Sequence, residues 1–196
     1  MNNAILNNYQ RWTERAIADI DVINELKDIA GNEEKIEDAF YKDLTFGTGG
    51  LRGVIGAGTN RLNVHTVAKA SQGLADYVIK NFASEKRKIA ISFDSRIKSD
   101  VFAKVAAGVF AANGIKVAIY SELMPTPCLS FAVRYLGCAA GVMVTASHNP
   151  AKYNGYKAYG PDGCQMTDDA AAIVYEEIQK TDVLTGAKYM PFAQGV

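Results

Sequence analysis

The stretch that decides the fold is AAGVMVTASHNPAKYNGYKAY, residues 139–159. Its apolar start, residues 139–145, predicts a buried strand, and residues 153–159 predict a second strand. The turn between the two strands is too short to contain a crossover helix, so we expect them to pair antiparallel. The first strand leads directly into four polar residues, Thr145, Ser147, His148 and Asn149.

Helices and strands alternate before and after this stretch. The spacing of apolar residues predicts helices over residues 64–82, 98–112, 127–136 and 167–179. Apolar runs predict two further strands over residues 88–93 and 115–120. Because such alternation is typical of layered α/β proteins, we predict a three-layer α/β/α sandwich with a mixed, mostly parallel sheet.

The N-terminal part of the chain has a different pattern. Residues 5–43 place apolar side chains at mostly helical spacings, and Trp12 among them is expected to pack against the main domain. We therefore divide the chain into a helical N-terminal extension, an α/β domain and a linker towards later domains that this sequence lacks. The expected boundaries of these three parts are residues 1–43, 44–180 and 181–196.

The composition is that of a folded globular protein without overall charge. Of its 196 residues 48% are hydrophobic, and 21 basic side chains balance 21 acidic ones. This balance argues against a nucleic-acid or membrane-surface binder, and no apolar run is long enough to span a bilayer. We therefore expect a cytoplasmic protein. The three cysteines lack CxxC spacing and are expected to be idle thiols that bind no metal.

The zero net charge conceals a segregation along the chain. Residues 1–43 hold 5 basic and 10 acidic side chains, and residues 167–196 hold 2 and 5. Residues 44–166 hold 14 basic and 6 acidic side chains, an excess of eight positive charges. This middle segment therefore suits an anionic ligand.

Three polar loops follow the predicted strands. In an open α/β sheet the ligand crevice lies at the carboxyl ends of the strands, so we expect the loops at 94–96, 124–127 and 146–154 to meet there. The loop at 94–96, Asp94-Ser95-Arg96, is expected to cap the next helix and brace the crevice. Pro125-Thr126-Pro127 is expected to start a helix, and His65 at another helix start is expected to be structural.

Ser147 has three candidate roles at the end of its strand: a nucleophile, a phosphate carrier, or a turn or helix-cap residue. Acyl transfer is disfavoured, because the G-x-S-x-G pattern is absent and the chain has only two histidines. Lys157 lies in the strand that returns from the Ser147 turn. That return would place a cation or a proton donor where phosphate charge gathers.

The glycine-rich stretch FGTGGLRG, residues 46–53, is a second candidate binding element. Its glycines allow close backbone approach, so amide groups can surround an anion while Arg52 offers its planar guanidinium to a phosphate. The stretch is neither a P-loop nor a dinucleotide-binding turn. A plain turn is the alternative interpretation.

Three motifs in this order resemble the N-terminal domain of the α-D-phosphohexomutases, the superfamily of phosphoglucomutase and phosphomannomutase. TASHNP at 145–150 resembles the phosphoserine loop of that family, and NGYK at 154–157 resembles the segment with its active-site lysine. GTGGLRG at 47–53 resembles its N-terminal arginine loop. The resemblance covers about residues 40–180, and the helical extension is most similar to the bacterial phosphoglucomutase and phosphopentomutase branch.

The resemblance implies a phosphosugar mutase domain in which Ser147 carries a phosphoryl group. Phosphate would move between the 1- and 6-positions of a hexose such as glucose through a bisphosphate intermediate. Lys157 would be a general acid or base, Arg52 an electrostatic clamp, and His148 and Asn149 would orient the serine or touch its phosphate. The substrate-binding residues that the resemblance implies are Thr48, Arg52, Ser147, Asn149 and Lys157.

The same resemblance implies one Mg²⁺ ion on the phosphate of Ser147 and glucose 1,6-bisphosphate as activator. The family's other metal ligands lie in a D-x-D-x-D loop of a later domain, and the 196 residues contain no such motif. We therefore expect the remaining domains of the same polypeptide as partners, and an inactive isolated chain. A non-catalytic phosphosugar-binding or regulatory module, or a mutase of mannose or pentose phosphates, is the alternative.

Overall fold

The computed structural model describes residues 2–195, which form eight helices and five strands. The helices are α1 Asn3–Arg15, α2 Ile20–Asp28, α3 Glu33–Phe40, α4 Val64–Asn81, α5 Ser99–Ala112, α6 Thr126–Tyr135, α7 Asp168–Lys180 and α8 Phe192–Gly195. The strands are β1 Gly50–Val54, β2 Lys88–Phe93, β3 Lys116–Ile119, β4 Ala140–Val144 and β5 Tyr153–Tyr159. None of these helices is both long enough and apolar enough to cross a bilayer.

The five strands form one mixed sheet in the order β1-β5-β4-β2-β3. β2 pairs in parallel with β3 and with β4, whereas β5 pairs antiparallel with β4 and with β1. Four strands therefore run in one direction and β5 runs against them. This confirms the predicted mixed, mostly parallel sheet and the antiparallel pairing of β5 with β4.

Helices cover both faces of the sheet, which confirms the three-layer α/β/α architecture. α4, α5 and α7 lie on one face around a core that includes Leu74, Ile91 and Phe110. α6 packs mainly on β2 and β4 on the other face, where Leu129 and Met143 are buried. Beside β1, this second face of the sheet stays open.

β1 is the strand that the sequence does not predict. Residues 46–53 are expected to be a glycine-rich loop, but residues 50–54 form an edge strand paired with β5. Glycine is depleted in strands and therefore conceals the strand signal. Its lack of a side chain is also what permits the pairing, because a Cβ on Gly50 would collide with the carbonyl oxygen of Tyr156. The other predicted elements of the α/β domain end within one residue of their expected bounds.

The three N-terminal helices form a small core of their own around Trp12 and Phe40. Trp12 is fully buried, and its ring lies 5.3 Å from that of His65 in α4, measured between centroids. This contact confirms that Trp12 packs against the main domain. An ion pair of 2.8 Å between Lys98 and Asp19 adds a second link, from the start of α5 to the turn before α2.

Residues 181–195 pack back onto the helices. The amide of Met190 donates a hydrogen bond of 3.2 Å to the carbonyl oxygen of Gly108 in α5. Asp182 forms an ion pair of 2.6 Å with Arg11 of α1. This C-terminal segment therefore contacts both the main domain and the N-terminal helices.

His65 lies in the first turn of α4, buried against Trp12. Its Nε2 atom has no hydrogen-bond partner among the described residues. Burial lowers the pKa of His65 below its ordinary value of 6.5, and the negative charge of Asp19 opposes that shift. The folded protein therefore holds a neutral imidazole here, in keeping with a structural role.

Acid should destabilise the protein through His65. As the pH falls through 6.5 the unfolded chain takes up a proton at this residue before the folded protein does, so the free energy of unfolding decreases. The slope is at most about 1.4 kcal/mol per pH unit between about pH 7 and about pH 5. Partly buried carboxylates such as Asp19 contribute below this window, because the pKa of Asp19 is held below its ordinary 3.8.

Urea unfolding at about pH 7 and at about pH 5 measures this effect. It is carried out on the wild type, on His65→Gln and on the control His148→Gln, whose histidine is exposed. We expect His65→Gln to lose most of the decrease and His148→Gln to keep it. Equal decreases in all three proteins would show that His65 does not titrate in this way.

Candidate functional site

The Ser147 loop, residues 145–152, begins where β4 ends. The amide of Thr145 still bonds across the sheet, to the carbonyl oxygen of Gly155 at 3.0 Å. The amide of Ser147 instead donates to the hydroxyl oxygen of Thr145 at 2.9 Å, and this short turn lifts the chain out of the sheet. The side chain of Ser147 is consequently exposed at the carboxyl end of β4.

Ser147 has a backbone conformation that side chains rarely adopt. Its φ of 56° lies in the left-handed region, which it shares with Lys98 alone among the non-glycine residues between 2 and 195. Such a conformation costs about 1 to 2 kcal/mol for an L-residue. The surrounding contacts must therefore hold the loop in this shape.

Arg96 provides four of those contacts. Its Nη2 atom donates to the carbonyl oxygens of Ser147 and Asn149 at 2.6 Å each. Its Nη1 atom donates to those of Tyr153 at 3.0 Å and Pro150 at 3.2 Å. One guanidinium thus ties the loop to the start of β5, which confirms the expected bracing role of the segment around Arg96.

Asp94 holds Arg96 in place. Its Oδ1 atom accepts hydrogen bonds from the amide of Arg96 at 3.0 Å and from the hydroxyl of Ser99 at 2.8 Å. The expectation that this segment caps the next helix is wrong. The N-cap of α5 is Lys98, which has φ 61° and makes no capping hydrogen bond, because the chain enters α5 through a left-handed turn.

His148 and Asn149 connect the loop to its surroundings. The Nδ1 atom of His148 lies 3.4 Å from the hydroxyl oxygen of Ser147. The side-chain oxygen of Asn149 accepts a hydrogen bond of 3.0 Å from Arg52 in β1. The structure thus brings four of the predicted site residues together at one edge of the sheet.

Lys157 shares one face of the sheet with Arg52. In the β1–β5 ladder Arg52 lies opposite Gly155, and Gly50 lies opposite Lys157. Directly opposed residues point to the same face, and so do residues two apart on one strand. Because Gly155 has no side chain, nothing on β5 separates the guanidinium from the ammonium.

Thr48, Arg52, Lys157 and Gln165 line an open cavity of about 420 Å³ on this face. The lining contains no acidic side chain. Among the described residues, the side chain of Lys157 makes no hydrogen bond or ion pair, and that of Arg52 is bonded to the neutral Asn149. The cavity therefore carries two positive charges that no carboxylate neutralises, which favours an anion.

Ser147 and Lys157 approach one another without touching. Lys157 lies about 7 Å along β5 from Gly155, which bonds to Thr145 two residues before Ser147. In the described part of the chain no hydrogen bond joins the two side chains, and Ser147 is not in the cavity lining. The hydrogen bond between Arg52 and Asn149 joins the loop to the cavity, and the two together are called the cleft below.

Two residues have contacts here that the sequence analysis does not assign. Gln165 donates a hydrogen bond through Nε2 to the carbonyl oxygen of Thr48 and so fixes the glycine-rich stretch. Asn154, fully buried, donates to the hydroxyl of Ser99 at 2.9 Å and ties β5 to the start of α5. Asn154 lies within the NGYK motif, so the sequence does mark it as a candidate functional residue, whereas Gln165 belongs to no motif.

Tyr156 occupies the opposite face of β5. It is fully buried, and the hydroxyl of Ser71 donates a hydrogen bond of 3.3 Å to its hydroxyl. Burial raises the pKa of Tyr156 well above its ordinary value, and the bond from Ser71 offsets little of that shift. Since Tyr156 is neutral and points away from Lys157, it takes no part in proton transfer at the cleft.

The donor atoms around the cleft do not form a complete metal site. Between residues 2 and 195 no three His, Cys, Asp or Glu side chains lie together in a way that could hold an ion. The carboxylate of Asp94 is occupied by Arg96 and Ser99. These residues alone therefore do not fit a Mg²⁺ ion.

Fold and site together define an α/β/α domain with a cation-lined cleft beside an exposed serine loop. Residues 43–184 match the family described as phosphoglucomutase/phosphomannomutase, alpha/beta/alpha domain I. The chain therefore belongs to the phosphoglucomutase/phosphomannomutase family, as its motifs indicate.

Relatives of known name agree with this assignment. The chain is 44% identical over 165 residues to a phosphoglucomutase of Staphylococcus epidermidis, covering 82% of this chain and 30% of that protein. It is 47% identical over 132 residues to a protein named "Probable phosphoribomutase" of Schizosaccharomyces pombe, covering 67% and 22%. A crystal structure from Thermus thermophilus, described as a "putative phosphomannomutase", superposes with a TM-score of 0.66 at 31% identity, covering 76% of this chain and 33% of that one.

These relatives are much longer than the chain. It spans 30% of the Staphylococcus epidermidis protein and 22% of the Schizosaccharomyces pombe protein. The cleft therefore corresponds to one part of those longer proteins.

The close approach of β5 to the Ser147 loop should depend on Gly155. A Cβ at this position would lie 2.5 Å from the carbonyl oxygen of Thr145 and 2.9 Å from that of Leu51, so backbone must move. We expect Gly155→Ala to lower the free energy of unfolding by about 1 to 3 kcal/mol in urea titrations. Gly47→Ala is the matched control, because a Cβ there has nothing within 4 Å. Equal stability of the two variants would contradict the close approach.

Proposed function

We propose that the chain is the phosphoserine domain of a phosphosugar mutase, in which Ser147 carries the transferable phosphoryl group. The observation that carries the proposal is an exposed serine loop that the Arg52–Asn149 hydrogen bond joins to a cavity whose two cations, Arg52 and Lys157, no carboxylate neutralises. Phosphoryl transfer needs positioning and charge stabilisation more than covalent assistance, and this cleft offers both. The family relationship supports the same chemistry.

In the proposed reaction a sugar hydroxyl oxygen attacks the phosphorus on Ser147. An oxygen–phosphorus bond forms to the sugar while the bond to Oγ of Ser147 breaks, and the hydroxyl proton passes to water. Lys157, as an ammonium, donates a proton to the departing Oγ and takes it back when Ser147 is phosphorylated again. Arg52 stabilises the charge on the phosphoryl oxygens, and Asn149 holds Arg52 at the loop.

The substrate in this proposal is a hexose phosphate, with phosphate moving between the 1- and 6-positions of glucose. The bisphosphate intermediate reorients and returns its other phosphate to Ser147, so glucose 1,6-bisphosphate acts as activator. Thr48, at the cavity wall, and His148, beside Oγ, complete the proposed binding set. A pentose phosphate is the second candidate, because one relative is named "Probable phosphoribomutase".

The proposal also needs parts that these residues do not supply. We place the helical extension at 1–43, the phosphoserine domain at 44–180 and a linker at 181–196, followed by the remaining domains of a longer cytoplasmic polypeptide. A Mg²⁺ ion would be held by the phosphate of Ser147 and by carboxylates of those domains, where it would stabilise phosphoryl charge. The 196-residue chain alone should therefore show no turnover.

The first test is covalent. The longer polypeptide is incubated with glucose 1,6-bisphosphate, and the modified residue is mapped by mass spectrometry. We expect one stable phosphate on Ser147 and none in Ser147→Ala. A stable phosphate on another residue would contradict the assignment, and sugar-phosphate binding without any phosphorylation would favour a non-catalytic binding module.

The second test separates Lys157 from its neighbour Lys152. Lys157→Met keeps most of the side-chain volume and removes the ammonium, so turnover in the longer polypeptide should fall by roughly 10²- to 10⁴-fold. Lys152→Met is the control, because Lys152 lies over the ring of Tyr153, 5.6 Å from its centroid, outside the cavity. Equal and slight decreases in kcat for both variants would show that Lys157 is an ordinary surface lysine.

A further inference from the structure

Arg96 bonds to backbone carbonyl oxygens of the Ser147 loop. It donates two hydrogen bonds of 2.6 Å through one nitrogen, to the carbonyl oxygens of Ser147 and Asn149. The Arg96 side chain is 14% exposed and forms a pair of 3.6 Å with Asp94, so it has little freedom of its own. The direction of the Ser147 carbonyl is thus fixed from a rigid position.

The hydrogen bond from Arg96 to Ser147 also fixes the orientation of the peptide group between Ser147 and His148. The described peptide bonds are all trans, and in a trans peptide the carbonyl and the amide point in opposite directions. With the carbonyl of Ser147 turned towards Arg96, the amide of His148 must point away from Arg96. In residues 2–195 that amide has no hydrogen-bond partner.

An unpaired amide beside an exposed serine is a ready donor to an anion. Asn149 resembles Ser147 in having its carbonyl held by Arg96, but the next residue is Pro150, which has no amide hydrogen. Arg96 also bonds to the carbonyl oxygen of Pro150 and so orients the amide of Ala151, which likewise has no partner in residues 2–195, but the His148 amide is the one that directly follows Ser147. A backbone amide bonded to a charged oxygen gives a short, strong hydrogen bond.

We propose that Arg96 is a positioning residue which turns the His148 amide towards the phosphoryl group on Ser147. This inference rests on the proposed function, since it assumes an anion at the Ser147 loop. Arg96 touches neither the phosphoryl group nor the sugar and acts through the Ser147–His148 peptide. Lysine cannot replace it fully, because four carbonyl oxygens need the fork of donors that a guanidinium presents.

The test is a titration of the 196-residue chain with inorganic phosphate, followed by amide chemical shifts in ¹H–¹⁵N NMR spectra. In the wild type we expect the His148 amide and the amides of Gly50 and Arg52 at the cavity to respond. In Arg96→Met the Kd should rise at least about tenfold at all of these amides, as expected for the loss of one charge-assisted hydrogen bond. The shifts of the Gly50 and Arg52 amides without phosphate should stay close to those of the wild type, which would show that the cavity itself is intact.

Two further variants complete the design. Arg134→Met removes the same side chain from the exposed surface of α6, where it bonds to Ser130, and should behave as the wild type. Arg96→Lys retains the charge with fewer donors and should give an intermediate Kd at His148. This variant decides the question if Arg96→Met does not fold.

The possible results separate the inference from the proposed function. A wild type that responds at Gly50 and Arg52 but not at His148, or an Arg96→Met or Arg96→Lys variant with an unchanged Kd at His148, overturns the role of Arg96 alone. A wild type that responds at none of these amides contradicts the anion cleft and therefore both proposals.

Discussion

The antiparallel pairing of β5 with β4 is the constraint on which the cleft depends. It reverses the chain within one short loop, so that β5 returns beside β4 and places Lys157 opposite Met143, near the end of β4 that leads to Ser147. A crossover helix, which parallel pairing would require, would have separated Lys157 from this end of β4. β1 then pairs with β5 and adds Arg52 to the same face.

The hairpin alone would not fix the shape of the Ser147 loop, and two further features of the structure do so. Gly155 lets the backbone of β5 approach Thr145 closely, and Arg96 bonds to four carbonyl oxygens along the loop. Ser99, at the start of α5, bonds to Asp94 after the end of β2 and to Asn154 at the start of β5. These bonds link both strands to α5. The loop that contains the left-handed Ser147 is therefore supported from β2, β5 and α5.

Much of this arrangement could be predicted from the sequence because its signals are local. Apolar periodicity indicated the helices and most strands, and the short turn between the strands at 139–145 and 153–159 indicated the hairpin. β1 could not be predicted, since its glycines hide a strand that exists only through pairing with a segment 99 or more residues away. The capping role expected for Asp94 was wrong for a similar reason, because the left-handed turn at Lys98 depends on tertiary contacts.

The hydrogen bond from Gln165 to Thr48 could not be predicted either, because 117 residues separate the two and Gln165 belongs to no motif. The charge pattern was more informative: the positive excess in residues 44–166 indicated an anionic ligand. The structure shows that two of these cations, Arg52 and Lys157, share one cavity without a carboxylate.

The Ser147 loop and the Arg52–Lys157 cavity should form a single phosphate site. A crystal structure of the chain with inorganic phosphate would show whether they do. We expect one phosphate within hydrogen-bond distance of Nζ of Lys157 and of Oγ of Ser147, with Arg52 turned towards it. A phosphate bound elsewhere, or a Lys157 side chain turned away from the Ser147 loop with phosphate present, would contradict a single site.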